Sequence, residues 1–280
     1  MKQKKTLQEL TFKDNFIFGA VMLDAEMCKG ILERCLSIEI ERVEVDKEKS
    51  IVYNPEFKGV RLDIYAKDEH HTHYNVEMQV IRKAEIEKRA RYYHGQIDME
   101  LLLAGTDYKK LPDAYVIFIC DFDPYGKGKY RYTREEICKE VPELSMADGA
   151  HTIFLSTKGT NDDEVPEELV RFLKYVGTPL QESDTDFEDD FIRQLQDAVR
   201  GVKTSREMGA RYMTFEQYVK EEREEAREEG RQEGRQEGRQ EERLTIVKNM
   251  LIQDVSVEEI SRLTGIPKEQ ILELKEDNSI

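Results

Sequence analysis

Residues 60–80 read VRLDIYAKDEHHTHYNVEMQV, and the period of this stretch decides the fold. In its first half Leu62, Ile64 and Ala66 alternate with Arg61, Asp63 and Tyr65. In its second half Tyr74, Val76, Met78 and Val80 alternate with Asn75, Glu77 and Gln79. Successive side chains of a strand point to opposite faces, so each half predicts a strand. The polar segment KDEHHTH between them predicts the turn of a hairpin. Alternation sets Glu77 and Gln79 on one face, and a hairpin brings Asp63 within their reach. Three polar side chains meeting at a sheet edge suit a metal, because magnesium prefers two carboxylates completed by waters and a phosphate oxygen. Alternating acidic and apolar residues are also what any half-solvated strand shows, and spacing alone leaves both readings open.

Helical spacing flanks the hairpin. From Thr11 to Ile38 the residues Phe12, Phe16, Ile17, Ala20, Val21, Leu23, Met27, Ile31, Leu32, Cys35 and Leu36 predict one or two amphipathic helices. A long helix is expected from Ala84 to about Leu103. AYVIFICD (114–121) then reads as a strand buried on both faces, with TIFLS (152–156) as its neighbour. DPYGKGKYRYT (123–133) between them has loop chemistry. Helical patterns return at 165–176 and 187–219. This order predicts an α/β fold: a mixed central sheet flanked by helices, with a helical C-terminal extension.

From Lys220 to Arg243 the composition shifts to Glu, Arg, Gln and Gly, and EGRQ recurs three times over 229–240. Glu–Arg pairs four apart support an exposed helix by a few tenths of a kcal/mol, while each glycine costs about 1 kcal/mol against alanine. A solvated, marginal helical linker is expected. Beyond it, Ser256 and Glu259 form a capping-box signature before a short helix with Ile260 and Leu263. Gly265 and Pro267 turn the chain into another helix with Ile271 and Leu274. That second helix is acidic through Glu269, Glu273 and Glu276, which favours packing or homo-oligomerisation over DNA reading. The expected division is a core at 1–160, a helical extension at 161–219, a charged linker at 220–243 and a helical module at 244–280.

The net charge of −16 is unevenly spread. Residues 1–150 carry 24 Lys and Arg against 28 Asp and Glu, net −4, and residues 151–280 carry 19 against 31, net −12. The core therefore lacks the basic field of a tight nonspecific nucleic-acid binder, but most of the excess acid lies outside it. No apolar run approaches the roughly 20 residues of a membrane span. The start, MKQKKTLQEL, lacks the apolar stretch of a secretory leader, so a cytoplasmic protein without membrane contact is expected. Cys28, Cys35, Cys120 and Cys138 have no C-x-x-C spacing and read as buried free thiols. No Ser-His-Asp arrangement, P-loop or Rossmann glycine pattern is present.

Other polar clusters need placing. Arg89, Tyr93 and Gln96 share one face of the helix expected after the hairpin, where they contact phosphate, support the acids, or form a solvated arginine edge beside a packed tyrosine. Asp14 is either a helix cap or outer polarity for the acids. His70, His71 and His73 in the hairpin turn read as a solvated loop rather than a zinc site.

GVRLDIYA (59–66) with YNVEMQV (74–80) resembles the strand pair of the PD-(D/E)xK phosphodiesterases. The whole layout is similar to the Rpn family of recombination-promoting nucleases and transposases: TFKDNFIFG (11–19), KRARYYHGQ (88–96), the EGRQ repeats and SVEEISRLTGIPKEQI (256–271). The resemblance implies a restriction-endonuclease-like core that hydrolyses DNA with Mg²⁺, or Mn²⁺ in its place. It implies Asp63 and Glu77 as metal ligands, the Met78 carbonyl as a third, and DNA as partner. Gln79 falls where the better-known pattern has lysine; lysine can stabilise developing charge, whereas glutamine only hydrogen-bonds, and Gln79 is expected to join Asp63 and Glu77 as a catalytic residue that orients water or phosphate. The rival expectation is a non-catalytic scaffold on the nuclease fold that acts through protein–protein contacts.

Overall fold

Local signals divide the N-terminal helical run in two. In the computed structural model, which describes residues 5–47, 50–51, 60–144, 146 and 148–277, α1 (Asn15–Met22) ends before Asp24. The Asp24 side chain accepts the N–H groups of Glu26 and Met27 and so caps α2 (Ala25–Leu36). The first four residues, where no leader was expected, and Gly59 of the quoted motif lie outside the described residues.

Strands β1 (Val43–Lys47), β2 (Ser50–Ile51), β3 (Val60–Arg61), β4 (Ile64–Asp68) and β5 (His73–Gln79) follow. The strand expected over VRLDIYAK is therefore interrupted at Leu62 and Asp63: β3 pairs with β2 in a separate ribbon, and β4 pairs with β1 and β5. Asp68 builds the hairpin turn, its Oδ1 accepting from the N–H groups of His70 and Thr72 and its Oδ2 from the Tyr74 hydroxyl. The three histidines do not act together. His70 and His71 are exposed in the turn, while His73 is buried in β5, 2.6 Å from the Tyr65 hydroxyl.

Helix α3 (Ile86–Leu101) returns the chain to β6 (Ala114–Cys120), which lies parallel to β5. Strand β7 (Arg131–Arg134) comes from the end of DPYGKGKYRYT, a segment expected to be loop throughout. Glycine, tyrosine and basic side chains hide a short edge strand that keeps its residues half exposed, antiparallel to β8 (Ala150–Ser156). The sheet order is β1-β4-β5-β6-β8-β7, with the parallel strands at its centre. One face is covered by α3, whose Ile86, Ala90, Tyr93 and Ile97 pack on Leu62, Tyr65, Val116, Phe118 and Phe154. Phe118 lies between Tyr93 and Phe154, with ring centroids 6.2 and 5.5 Å away in stacked geometry. Helices α1, α2, α4 (Glu167–Gly177) and α5 (Asp190–Thr204) form the other layer, with α1 and α2 against β1.

Asp14 caps nothing in α1. It accepts from the Thr11 N–H and hydroxyl and from Lys5, closing the preceding turn. The neighbouring Lys13 reaches Asp121 at the end of β6, 2.7 Å away. The Cys28, Cys35 and Cys120 thiols are free and buried, and burial pushes them up to about 12; Cys138 is free and half-buried.

The chain divides into two compact units, Met1–Tyr212 and Met213–Ile280. The helical run expected over 187–219 is broken at Ser205, after which α6 (Arg206–Ile252) runs on through the EGRQ repeats. In the second unit Val247 and Leu251 of α6 cluster with Ile260 of α7 (Val257–Thr264), Ile266, and Ile271 of α8 (Lys268–Asp277). No helix among the described residues is long and apolar enough to cross a membrane.

Phe118 carries the stacked centre of the α3 layer. Phe118→Ala is expected to lose about 3–5 kcal/mol of unfolding free energy in urea titration, and Phe118→Leu distinctly less. Equal losses would place the core's support elsewhere.

Candidate active site

The break between β3 and β4 leaves Asp63 outside the strand ladder, opposite Glu77 when the β4–β5 register is extended by one residue. The two acids clasp the backbones of the two facing segments: the Asp63 N–H donates to Glu77 Oε1 at 3.2 Å, and the N–H of Met78, next to Glu77, donates to Asp63 Oδ2 at 3.4 Å. Glu77 is 4 % exposed and Asp63 half-buried. Burial, and then the Asp63 charge, push the Glu77 carboxyl well above the usual carboxylate range, against the bond from the Asp63 N–H and the opposite charge of Arg89.

The amphipathic stripe of α3 delivers Arg89 to this pair. Its Nη2 is 3.4 Å from Glu77 Oε2 and 3.0 Å from the Tyr93 hydroxyl one turn on, and its Nη1 donates to Gln79 Oε1 at 2.8 Å. The guanidinium also lies over the Tyr93 and Phe118 rings, at 5.5 and 5.4 Å. Gln79 is fixed at both ends, because its Nε2 donates to the Ile81 carbonyl at 2.6 Å. Asp63, Glu77, Gln79, Arg89 and Tyr93 are thus brought together. Gln96 is buried on the same helix, and Tyr93 and Gln96 are both less than a tenth exposed. A separate cleft of about 400 Å³ opens at the start of α3, lined by Arg82, Lys83, Glu85, Glu87 and Phe122 among others. Sequence reasoning set Asn75 on the Glu77 face and gave it no role, since alternation signals a face but not whether a partner exists there.

Among the described residues no three His, Cys, Asp or Glu side chains gather as a metal site. A two-carboxylate site of oxygen donors, without thiolate or imidazole, fits a hard cation that keeps several waters and does not suit zinc. Burial first, and then the repulsion of Asp63, disfavours the charged Glu77 carboxylate, and a bound cation would offset both, so the residues present fit such an ion.

Because its folded value is raised, Glu77 keeps its proton in the folded chain over a pH range where the unfolded chain has lost it. Its contribution to stability is therefore full at acidic pH and is lost as pH rises through the folded value. In chelator, Glu77→Gln should melt above wild type at pH 8, and the gap should shrink toward pH 5. Thermal unfolding at the two pH values checks this; a pH-independent gap would mean the carboxyl is not held in its neutral form.

The model of one family, described as PD-(D/E)XK nuclease family transposase, matches residues 7–229. No curated protein and no solved structure gives a significant match. The match runs from the helical turn at Leu7–Glu9 into α6 and takes in every described strand of the sheet and both clasped acids. A nuclease or transposase type of function follows from it, and the chain belongs to the PD-(D/E)XK nuclease family transposases.

Proposed function

We propose that the chain is a magnesium-dependent DNA endonuclease, with manganese as a substitute, that cuts phosphodiester bonds in recombination or the spread of mobile elements. The observation that carries this reading is the clasp of Asp63 with a buried Glu77 whose charge Arg89 only partly offsets. Asp63, Glu77 and the Met78 carbonyl would hold the ion. Bound there, a divalent cation would lower the pKa of an attacking water and polarise the scissile phosphate.

The chain's own residues account for the missing lysine. Gln79 accepts from Arg89 and holds its guanidinium beside the acids, so that the positive charge expected at position 79 comes from α3 instead. A guanidinium never loses its proton in proteins and presents a planar fork of donors to phosphate oxygens. Its side chain is 28 % exposed, enough to meet a phosphate while Tyr93 braces it from the protein side. We assign Arg89, Tyr93 and Gln96 to the nucleic-acid side of the site, with Arg89 making the contact. The chemistry belongs to residues 1–160 and its support to 161–219. Residues 220–243 act as a charged helical linker and 244–280 as a module through which copies associate, in a cytoplasmic protein.

The purified chain should nick supercoiled plasmid with Mg²⁺ or Mn²⁺. Asp63→Ala and Glu77→Ala should remain folded and inactive, and Arg89→Ala should fall by about 10²–10³ with Arg89→Lys retaining part of the activity. Equal inactivity of all forms across metals and DNA topologies would hand the assignment to the scaffold reading.

A further inference from the structure

Asn75 stands in the middle of β5, two residues before Glu77 and on the same face, opposite Tyr65 of β4 and Val116 of β6. It is fully buried, and neither its Nδ2 nor its Oδ1 has a hydrogen-bond partner among the described residues. Arg34 and His94 also carry an unpartnered buried nitrogen. Arg34 is nevertheless held by Gly30 and Asp189, and His94 by the Thr152 hydroxyl. Asn75 has no such second anchor. Tyr65 and Val116 belong to an apolar cluster, so an apolar residue at position 75 would serve folding better. A buried amide with no partner among the described residues is hydrogen-bonding capacity that the fold itself leaves unused.

What it faces identifies the need. The amide lies outside hydrogen-bonding geometry with Glu77, yet near enough to favour the charged carboxylate. Both Glu77 oxygens are already engaged, Oε1 by the Asp63 N–H and Oε2 by Arg89. Holding a cation requires lone pairs to be released from those donors and redirected, and a carboxylate has about four acceptor sites to distribute. An amide can supply a donor at that moment without adding a third negative charge to the pair.

We propose that Asn75 is a positioning residue for the metal centre: its amide hydrogen-bonds the Glu77 carboxylate when that carboxylate turns from Arg89 to a divalent cation, fixing which oxygen meets the ion. This rests on the reading of Asp63 and Glu77 as metal ligands. Groups that orient a metal ligand typically change affinity by about 10–100-fold when removed.

The test compares Asn75→Val with Asn75→Thr, which share a shape and differ in the hydroxyl donor, in the full chain titrated with Mn²⁺ alone and followed by thermal unfolding. In chelator, Asn75→Val should melt at or above wild type, because the unpartnered amide is gone. It should then need about 10–100-fold more Mn²⁺ than wild type for the same stabilisation, with Asn75→Thr in between. A Val variant that binds Mn²⁺ like wild type, or one that melts below wild type in chelator, overturns the positioning role while leaving the metal site in place. So does a Thr variant no better than Val. If wild type itself does not respond to Mn²⁺, the positioning role and the metal site fall together.

Discussion

A carboxylate in the middle of a strand that is buried on both faces has to be satisfied from its own surroundings. Glu77 is in that position: every residue of β5 is buried, and α3 closes the face toward which Glu77 points. An isolated buried charge is so unfavourable that the group takes up a proton, finds partners or binds a metal. The architecture supplies two partners from separate elements. One is the Asp63 N–H, available to a side chain because residues 62–63 have left the ladder while β3 turns away to pair with β2. The other is Arg89, placed by the same stripe of α3 that packs the core. The break in the strand and the register of the helix are thus both parts of the site.

Neither partner is complete. The contact of Arg89 with Glu77, at 3.4 Å, is long for a charge-assisted bond, while its bond to the neutral Gln79 carbonyl, at 2.8 Å, is short. The guanidinium is therefore held by the amide and only leans on the acid. A buried ion pair of this kind is a weak source of stability, because desolvation opposes the attraction. The firm support comes instead from the apolar stack of Tyr93, Phe118 and Phe154 under the guanidinium. The net charge of −16 bears little on this arrangement, which is governed by the local balance of Asp63, Glu77 and Arg89.

What could be read from the sequence follows from periodicity. The hairpin of β4 and β5 was legible because Leu62, Ile64 and Ala66 alternate as cleanly as Tyr74, Val76 and Met78. AYVIFIC and TIFLS were legible because central parallel strands are continuously apolar. The acids came with the hairpin. The break at Leu62 and Asp63 was not legible, since alternation persists through it and only the pairing partner changes. Strand β7 was hidden by glycine and basic residues that also suit loops. The alternation of Asn75, Glu77 and Gln79 is the pattern of a half-solvated strand, and only the docking of α3 buries that face. Lys13 is separated from Asp121 by 108 residues, a pairing that no local pattern encodes.

The departures from sound folding practice gather at one place. A fully buried amide with no partner among the described residues and a carboxylate pushed toward its neutral form lie two residues apart on β5, and the chain is interrupted beside an acid just before β4. Each opposes stability by itself, and a sequence shaped by folding alone would have placed valine or isoleucine at these positions, as it did at Val76 and Val116. Natural sequences break such local rules at functional sites and compensate elsewhere. Here the compensation is adjacent, in the stacked aromatic core that holds α3 down. The glutamine at position 79 follows the same logic. A lysine there would have to bury its own ammonium in the covered face of β5, whereas a glutamine fixed by Ile81 can hold a guanidinium whose stem stays packed on Tyr93 and Phe118 while part of the side chain remains open to solvent. Covering β5 with a helix thus sets a guanidinium from α3 beside the glutamine of the strand, so that a positive charge stands next to Asp63 and Glu77 without a lysine at position 79.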